Sequence, residues 1–100
     1  MTDTAGVTDN EAASRFQYEE DGHLAELTYR LRGDRLVLLH AEAPAPVRGR
    51  GIGGALMAAA IDRAQREGLT LVPLCPFARH WLERFPDAAS QVNVDLGQPG

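Results

Sequence analysis

Val47-Arg48-Gly49-Arg50-Gly51-Ile52-Gly53-Gly54 lies between an apolar run typical of a strand and an alanine-rich run typical of a helix. Because glycine has no Cβ, the four glycines allow the backbone to approach a ligand closely and to turn its amides outward. The following helix adds unpaired N–H groups and the positive end of its dipole, and two arginines add full charges. This loop therefore predicts an anion cradle, most simply for the phosphates of a nucleotide-like cofactor. A plain connecting turn is the alternative, although a turn needs fewer glycines and no flanking arginines.

The residues before the loop predict an antiparallel meander. Apolar and polar side chains alternate through residues 25–32, and this period of two is typical of a half-buried strand between two glycine-containing turns. We predict strands at residues 15–18, 24–32 and 35–43. The last of them is continuously apolar at residues 36–39, as expected where both faces of a strand are covered.

The residues after the loop predict a helix and a fourth strand, which complete a βαβ unit with parallel strands. The helix has one apolar stripe and ends at Gly68, and residues 69–74 form the strand. Since Pro73 cannot donate a hydrogen bond, we expect the two parallel strands to stop pairing near it and to leave backbone groups for a ligand. A final helix begins at Pro76, with Cys75 as its N-cap.

Length and composition indicate one globular domain of 100 residues with a net charge of −4. We expect a mobile tail at residues 1–13, a folded domain at residues 14–87 and a weakly structured tail at residues 88–100.

The acidic balance argues against a nucleic-acid partner, and the apolar runs are too short for a membrane span. A single cysteine and an acidic N-terminus favour the cytoplasm. We expect no metal site, and the oligomeric state stays open.

Three known phosphate loops compete for the glycine-rich stretch. A Walker A loop requires a lysine, and this chain contains none. The spacing of Gly49, Gly51 and Gly54 matches the dinucleotide fingerprint, but no carboxylate follows at the end of the next strand. The third pattern, Arg/Gln-x-x-Gly-x-Gly/Ala, is met by Arg48, Gly51 and Gly53.

That third pattern resembles the acetyl-CoA loop of the GNAT superfamily of N-acetyltransferases. His40-Ala41-Glu42 before the loop and Pro73-Leu74-Cys75-Pro76-Phe77 after the helix are similar to its small, single-domain, YjdJ-like branch. The resemblance implies a compact GNAT-like α/β fold, in which an antiparallel meander joins a βαβ unit with splayed parallel strands. It also implies that the CoA pantetheine arm lies between those strands.

The resemblance further assigns residues to acetyl-CoA. The loop would bind the pyrophosphate, and two groups of residues would contact the cofactor: Arg48, Gly49, Arg50, Gly51, Ile52, Gly53 and Gly54 in the loop, with Ala43, Pro76 and Phe77 beside it. The branch usually has threonine and valine where this chain has Ala41 and Ala43. This small branch also lacks the N-terminal helices that form much of the acceptor site in larger relatives.

Cys75, His40 and Glu42 are the candidate catalytic residues. A cysteine at a helix N-cap is favoured as the thiolate, although most free cysteines are buried space-filling residues. His40 and Glu42 are two residues apart on a strand, so we predict that they share one face with Leu36 and Leu38. There they would act as a base and its orienting group or form a buried, hydrogen-bonded pair.

The sequence thus predicts an acetyl-CoA-binding N-acetyltransferase that acts on a small-molecule amine or a protein amine. Three alternatives stay open: a non-enzymic CoA-binding sensor or interaction module, a cysteine-dependent acyl carrier or thioesterase, and a purely structural domain.

Overall fold

The computed structural model describes residues 6–47 and 51–96, which form one mixed sheet with helices packed against it. The strands are β1 (Val7–Asn10), β2 (Arg15–Glu20), β3 (His23–Arg32), β4 (Arg35–Glu42), β5 (Thr70–Pro73) and β6 (Asn93–Val94). The helices are α1 (Ile52–Glu67), α2 (Pro76–Arg84) and α3 (Pro86–Ala89), with short 3-10 helices at Glu11–Ala13 and Ala45–Val47.

The six strands lie in the sheet in the same order as in the chain. Strands β1 to β4 are antiparallel neighbours, which confirms the predicted meander. Strands β4 and β5 are parallel and are connected through α1, which confirms the predicted βαβ unit. Gly68 has a left-handed backbone conformation and ends α1, as its position predicted.

One face of the sheet carries the hydrophobic core. Alternate residues of β3, namely Ala25, Leu27 and Tyr29, lie there in one buried cluster with the apolar stripe of α1 and with the buried residues of α2. We call this the helix face. The opposite side, which we call the open face, carries the intervening residues Glu26, Thr28 and Arg30 of β3 and their neighbours, and none of the described helices packs against it.

The expectation of a mobile tail at residues 1–13 is wrong from residue 7 onward, because β1 pairs along its whole length with β2. The attachment is largely polar, which explains why a segment with a single sizeable apolar residue did not indicate a strand. Asn10 accepts a hydrogen bond from the amide of Ala13 and so caps the short helix that follows.

A buried arginine ties β1 to the core. Arg63 of α1 is 4% exposed, and its Nη1 donates to the Tyr29 hydroxyl at 2.7 Å and to an Asp9 carboxylate oxygen at 3.0 Å. The Tyr29 hydroxyl in turn donates to the other Asp9 oxygen at 2.6 Å. Burial, together with the hydrogen bond to Asp9, raises the pKa of Tyr29 to about 12. Burial opposes the charge on Arg63, but Asp9, Tyr29 and Glu67 outweigh it and raise the pKa of the guanidinium.

The expectation of a weakly structured tail at residues 88–100 is wrong for part of that segment. Residues 86–89 form α3, and β6 pairs in parallel with β5. The amide of Asp95 then donates to the carbonyl of Leu71 at 2.8 Å, and the Asp95 carboxylate forms an ion pair with Arg35. The end of the described chain is thus fixed to the edge of the sheet by backbone pairing.

Candidate cofactor site

The parallel strands β4 and β5 separate where Pro73 was expected to interrupt them. Their pairing ends at Leu38 and Pro73, while β4 continues to Glu42. The carbonyl of Leu38 accepts the amides of Leu74 at 3.0 Å and Cys75 at 3.1 Å, which closes the end of the ladder. Beyond this point the chain turns into α2, so the two strands diverge and form a split in the sheet.

A small cleft lies on the helix side of the split. Its volume is about 130 Å³, and it is lined by Ala41, Glu42, Ala43, Gly53, Leu56 and Phe77. The structure thus brings together Ala43, Gly53 and Phe77, which are far apart in sequence and were all predicted to contact the cofactor. Most of these side chains are apolar, so the cleft suits an uncharged chain better than a phosphate.

The N-terminus of α1 opens beside this cleft. Gly51 is the N-cap and has a φ of 76°, a left-handed conformation that a residue with a side chain adopts only with strain. The first backbone hydrogen bond of the helix runs from the amide of Ala55 to the carbonyl of Gly51 at 3.1 Å. The amides of Ile52, Gly53 and Gly54 precede that bond and have no acceptor within the helix. The predicted contact residues Arg48, Gly49 and Arg50 lie outside the described residues.

The other predicted loop residues have roles in packing as well. The Ile52 side chain is buried in the core, so a ligand at the helix end would meet its backbone amide. A Cβ added to Gly53 would lie 2.7 Å from Cζ of Phe77, whereas one added to Gly54 would lie 3.5 Å from Nε1 of Trp81. Glycine at position 53 is therefore required for the close contact between α1 and α2, whatever it does for a ligand.

Cys75 is the N-cap of α2 and Pro76 its first residue, as predicted. The thiol makes no capping hydrogen bond, and the residue is 3% exposed within the core cluster. Its backbone lies at the closed end of the split, whereas Pro76 is exposed. Cys75 thus has the position expected of a site residue and the burial expected of a space-filling thiol.

The prediction that His40 and Glu42 share a face with Leu36 and Leu38 is wrong, because a β-bulge interrupts β4. Tyr29 pairs with Leu38 and Thr28 pairs with His40, so Leu39 is an extra residue without a partner on β3. Past this bulge the alternation is reversed.

The reversal places the side chains of His40 and Glu42 on the open face. Ala41 now faces the core, while the side chains of His40 and Glu42 are 63% and 65% exposed. Their Nε2 and Oε1 atoms are 3.4 Å apart. The pair and Cys75 therefore lie on opposite sides of the sheet, and the three predicted catalytic residues do not form a single cluster. Glu42 still borders the cleft and so links it to the open face.

Comparison with known proteins identifies the class to which this fold and this split belong. Residues 15–92 match the GCN5-related N-acetyl-transferase family, and the chain belongs to that family. This confirms the predicted superfamily and its α/β fold, whereas the assignment to the YjdJ-like branch stays a prediction.

The fold is also similar to a solved structure. The solution NMR structure of a GCN5-like protein from Staphylococcus aureus, whose proposed activity is N-acetyltransfer, superimposes with a TM-score of 0.69. The two proteins are 28% identical over 90% of this chain and 88% of the other. Among residues 6–47 and 51–96, no helix is both long and apolar enough to cross a membrane.

Proposed function

We propose that this protein binds acetyl-CoA in the split between β4 and β5 and transfers the acetyl group to an amine. The observation that carries the proposal is the end of the parallel ladder at Leu38 and Pro73, next to an open helix N-terminus. Membership of the GCN5-related family supports the same chemistry. The alternative of a non-enzymic CoA-binding module shares the cofactor site and differs only in lacking turnover.

The described residues fit such a cofactor in two ways. The apolar cleft at Ala43 and Phe77 suits an uncharged arm, and the amides of the first turn of α1, which have no acceptor within the helix, suit a phosphate. A Cβ built on Gly51 would meet no atom of residues 6–47 and 51–96 within 4 Å, so these residues leave space outside the N-cap. Arg48 and Arg50 would add positive charge to that end on the basis of the sequence pattern.

Acetyl-CoA, when bound, supplies a thioester as the acetyl donor. The protein must then position the acceptor amine and remove its proton. His40 and Glu42 are the groups best placed for this, because Glu42 borders the cleft and its carboxylate lies within hydrogen-bonding distance of the imidazole. We propose that His40 takes the proton of the amine and that Glu42 orients the imidazole and stabilises its charge. Formation of the amide bond would break the thioester C–S bond, and the proton held by His40 would pass to the departing CoA thiolate.

Cys75 supports a second candidate, a cysteine-dependent acyl carrier or thioesterase. Its backbone lies at the closed end of the split, at the N-terminus of α2. Its thiol would need to become accessible, since the residue is 3% exposed. A thioester formed on Cys75 and detected by intact-mass spectrometry would favour this candidate.

Thermal unfolding with and without acetyl-CoA tests the proposed site. A ligand at about 100 times its Kd adds about 2.7 kcal/mol of stability, which for a domain of this size raises Tm by about ten degrees or more. Gly51→Asp should abolish this rise, since the new side chain and its charge would occupy the anion site.

Gly68→Asp is the matched control. Gly51 and Gly68 lie at the two ends of α1, both have positive φ, and an added Cβ meets no atom within 4 Å at either position. Both variants should therefore carry similar backbone strain, but only the first should lose the response to acetyl-CoA. An unchanged Tm of the natural protein at saturating acetyl-CoA would refute both the transferase and the CoA-binding module.

A further inference from the structure

A second, larger depression lies on the open face. It is a groove with a volume of about 800 Å³. Leu39 and Leu74, the first residues beyond the end of the β4–β5 ladder, form its end at the split. From there the groove runs back along the sheet over Val37 and Val72 to Arg30 and Arg32. It therefore leads directly away from the place where the acetyl group would be presented.

Positive charge is concentrated at the far end of this groove. Arg35 is paired with Asp95, but Arg30 and Arg32 are exposed and have no acidic partner among the described residues. Two unpaired guanidinium groups side by side are notable in a chain with a net charge of −4. They make this part of the open face complementary to carboxylates.

The end of the groove at the split lies next to a negatively charged group. His40 and Glu42 lie beyond the split on the same face, so the carboxylate that contacts His40 also places negative charge there, which attracts a cationic amine. The open face thus offers a carboxylate near the transfer point and arginines further along. A ligand that matches both ends carries a cationic amine followed by anionic groups.

The strand register gives the spacing between the two ends. Arg30 lies opposite Val37, and Arg32 lies opposite Arg35, which are two and four residues before Leu39. At about 3.3 Å per residue, the arginines are anchored roughly 7 and 13 Å from the split. An extended peptide has the same rise, so acidic side chains two to four residues after its amine would reach them.

We propose that the acceptor is an acidic peptide segment, bound along the open-face groove with its amine at the split and its carboxylates on Arg30 and Arg32. This inference rests on the proposed acetyl transfer, whose acceptor it identifies. The apolar floor of Val37 and Val72 suits side chains of a peptide. A nucleic acid fits less well, because the groove lining contains no aromatic side chain on which bases could stack.

Binding to two matched peptides, without cofactor, tests the groove itself. One peptide is Ala-Gly-Asp-Glu-Asp-Leu-Ser with a free N-terminus and a fluorophore at its C-terminus, and the other is Ala-Gly-Asn-Gln-Asn-Leu-Ser, so that the varied side chains lie two to four residues after the amine-bearing residue. By fluorescence anisotropy, the acidic peptide should bind about tenfold more tightly than its amide counterpart, as expected for two exposed charge pairs. Backbone amide shifts in ¹⁵N NMR spectra should change mainly in residues 30–39 and at Leu74.

The double variant R30Q/R32Q should lose this preference, whereas the charge-matched control R66Q/R84Q should keep it. Arg66 and Arg84 lie on the exposed sides of α1 and α2, away from the open face. Equal binding of both peptides, shifts confined to the helix face, or equally effective competition by free amino acids or by an oligonucleotide would overturn the inference.

Measuring acetyl transfer to both peptides in the presence of acetyl-CoA distinguishes this inference from the proposed function. If acetyl groups are transferred equally well to both peptides, the transferase stands and the acidic acceptor is wrong. If the acidic peptide binds the groove and no acceptor is ever acetylated, the peptide site stands and the transferase is wrong.

Discussion

We predict that Gly53→Ala weakens the binding of acetyl-CoA and changes the stability of the fold only slightly. The new Cβ would lie 2.7 Å from Cζ of Phe77, so the ring must move by about 0.7 Å or more to restore an ordinary contact. Phe77 is 38% exposed and can move outward. Overpacking costs about 1–3 kcal/mol. Outward movement of the Phe77 ring removes part of the clash, and alanine is more favourable than glycine in a helix by about 1 kcal/mol, so together they offset most of that cost. We expect the free energy of unfolding to change by less than about 1 kcal/mol.

The effect on acetyl-CoA should be larger, because Phe77 lines the cleft. If displacement of the ring removes on the order of 50 Å² of apolar contact, at about 25 cal/mol per Å² the loss is about 1.2 kcal/mol. That loss corresponds to a Kd about eightfold weaker. Isothermal titration calorimetry with acetyl-CoA measures it directly.

The adjacent residue provides the control for this prediction. Gly54→Ala places its Cβ 3.5 Å from Nε1 of Trp81, an ordinary contact, and Trp81 does not line the cleft. Because it keeps the backbone amide that is proposed to bind the phosphate, Gly54→Ala should leave the Kd within about twofold of the natural value, a difference of about 0.4 kcal/mol. The reasoning fails if Gly53→Ala binds acetyl-CoA as tightly as the natural protein, or if the two variants lose affinity equally.

Four further predictions follow from the buried cluster and from the two proposed catalytic groups. Asp9→Asn removes one of the three carboxylates paired with buried Arg63, so it should cost less than the roughly 3–5 kcal/mol of a fully broken buried pair, about 2 kcal/mol in urea unfolding; an unchanged midpoint would contradict this. Tyr29 contributes stability that is complete below its ordinary pKa near 10 and is lost as the pH rises towards its folded-state pKa of about 12, so Tyr29→Phe should show a smaller loss of stability between those values. Glu42→Gln should lower the rate of acetyl transfer by about 10²-fold or more and leave the Kd for acetyl-CoA unchanged; loss of cofactor binding instead would exclude the proposed orienting role. Cys75→Ala should retain transfer if the amine attacks directly, whereas complete loss of turnover in a folded variant would favour the acyl-carrier route.

The sequence predicted the parts of the fold that depend on local pattern. Alternation in residues 25–32, the apolar stripe of α1 and the left-handed cap at Gly68 are properties of neighbouring residues. The structure confirms the stripe and the cap, and it confirms the alternation as far as Tyr29, whereas Leu31 is exposed. The end of the β4–β5 ladder was also predictable, because the missing N–H of Pro73 is a covalent property of one residue.

The sequence did not predict strands β1 and β6, because both are held in place by residues that are distant in sequence. Strand β1 contains few apolar side chains and depends on Asp9, whose partners Tyr29 and Arg63 are 20 and 54 residues away in sequence. Arg63 is charged, yet it lies seven residues after Leu56, so the helical period places it beside the apolar stripe of α1, and it is 4% exposed. Strand β6 has two residues and forms only by pairing with β5.

The split beside the N-terminus of α1 was predicted correctly, whereas the face of the sheet that His40 and Glu42 occupy was not. The glycine loop, the interrupted strand and the helix cap at Cys75 determine by sequence alone that a split lies beside a helix N-terminus. Which face each catalytic candidate occupies was decided only by the tertiary structure, through the bulge at Leu39. Side chains in a strand alternate with a period of two, so one extra residue reverses every side chain after it. Within the continuously apolar run Leu36–Leu39, no change of pattern marks that residue, and only its pairing with β3 reveals it.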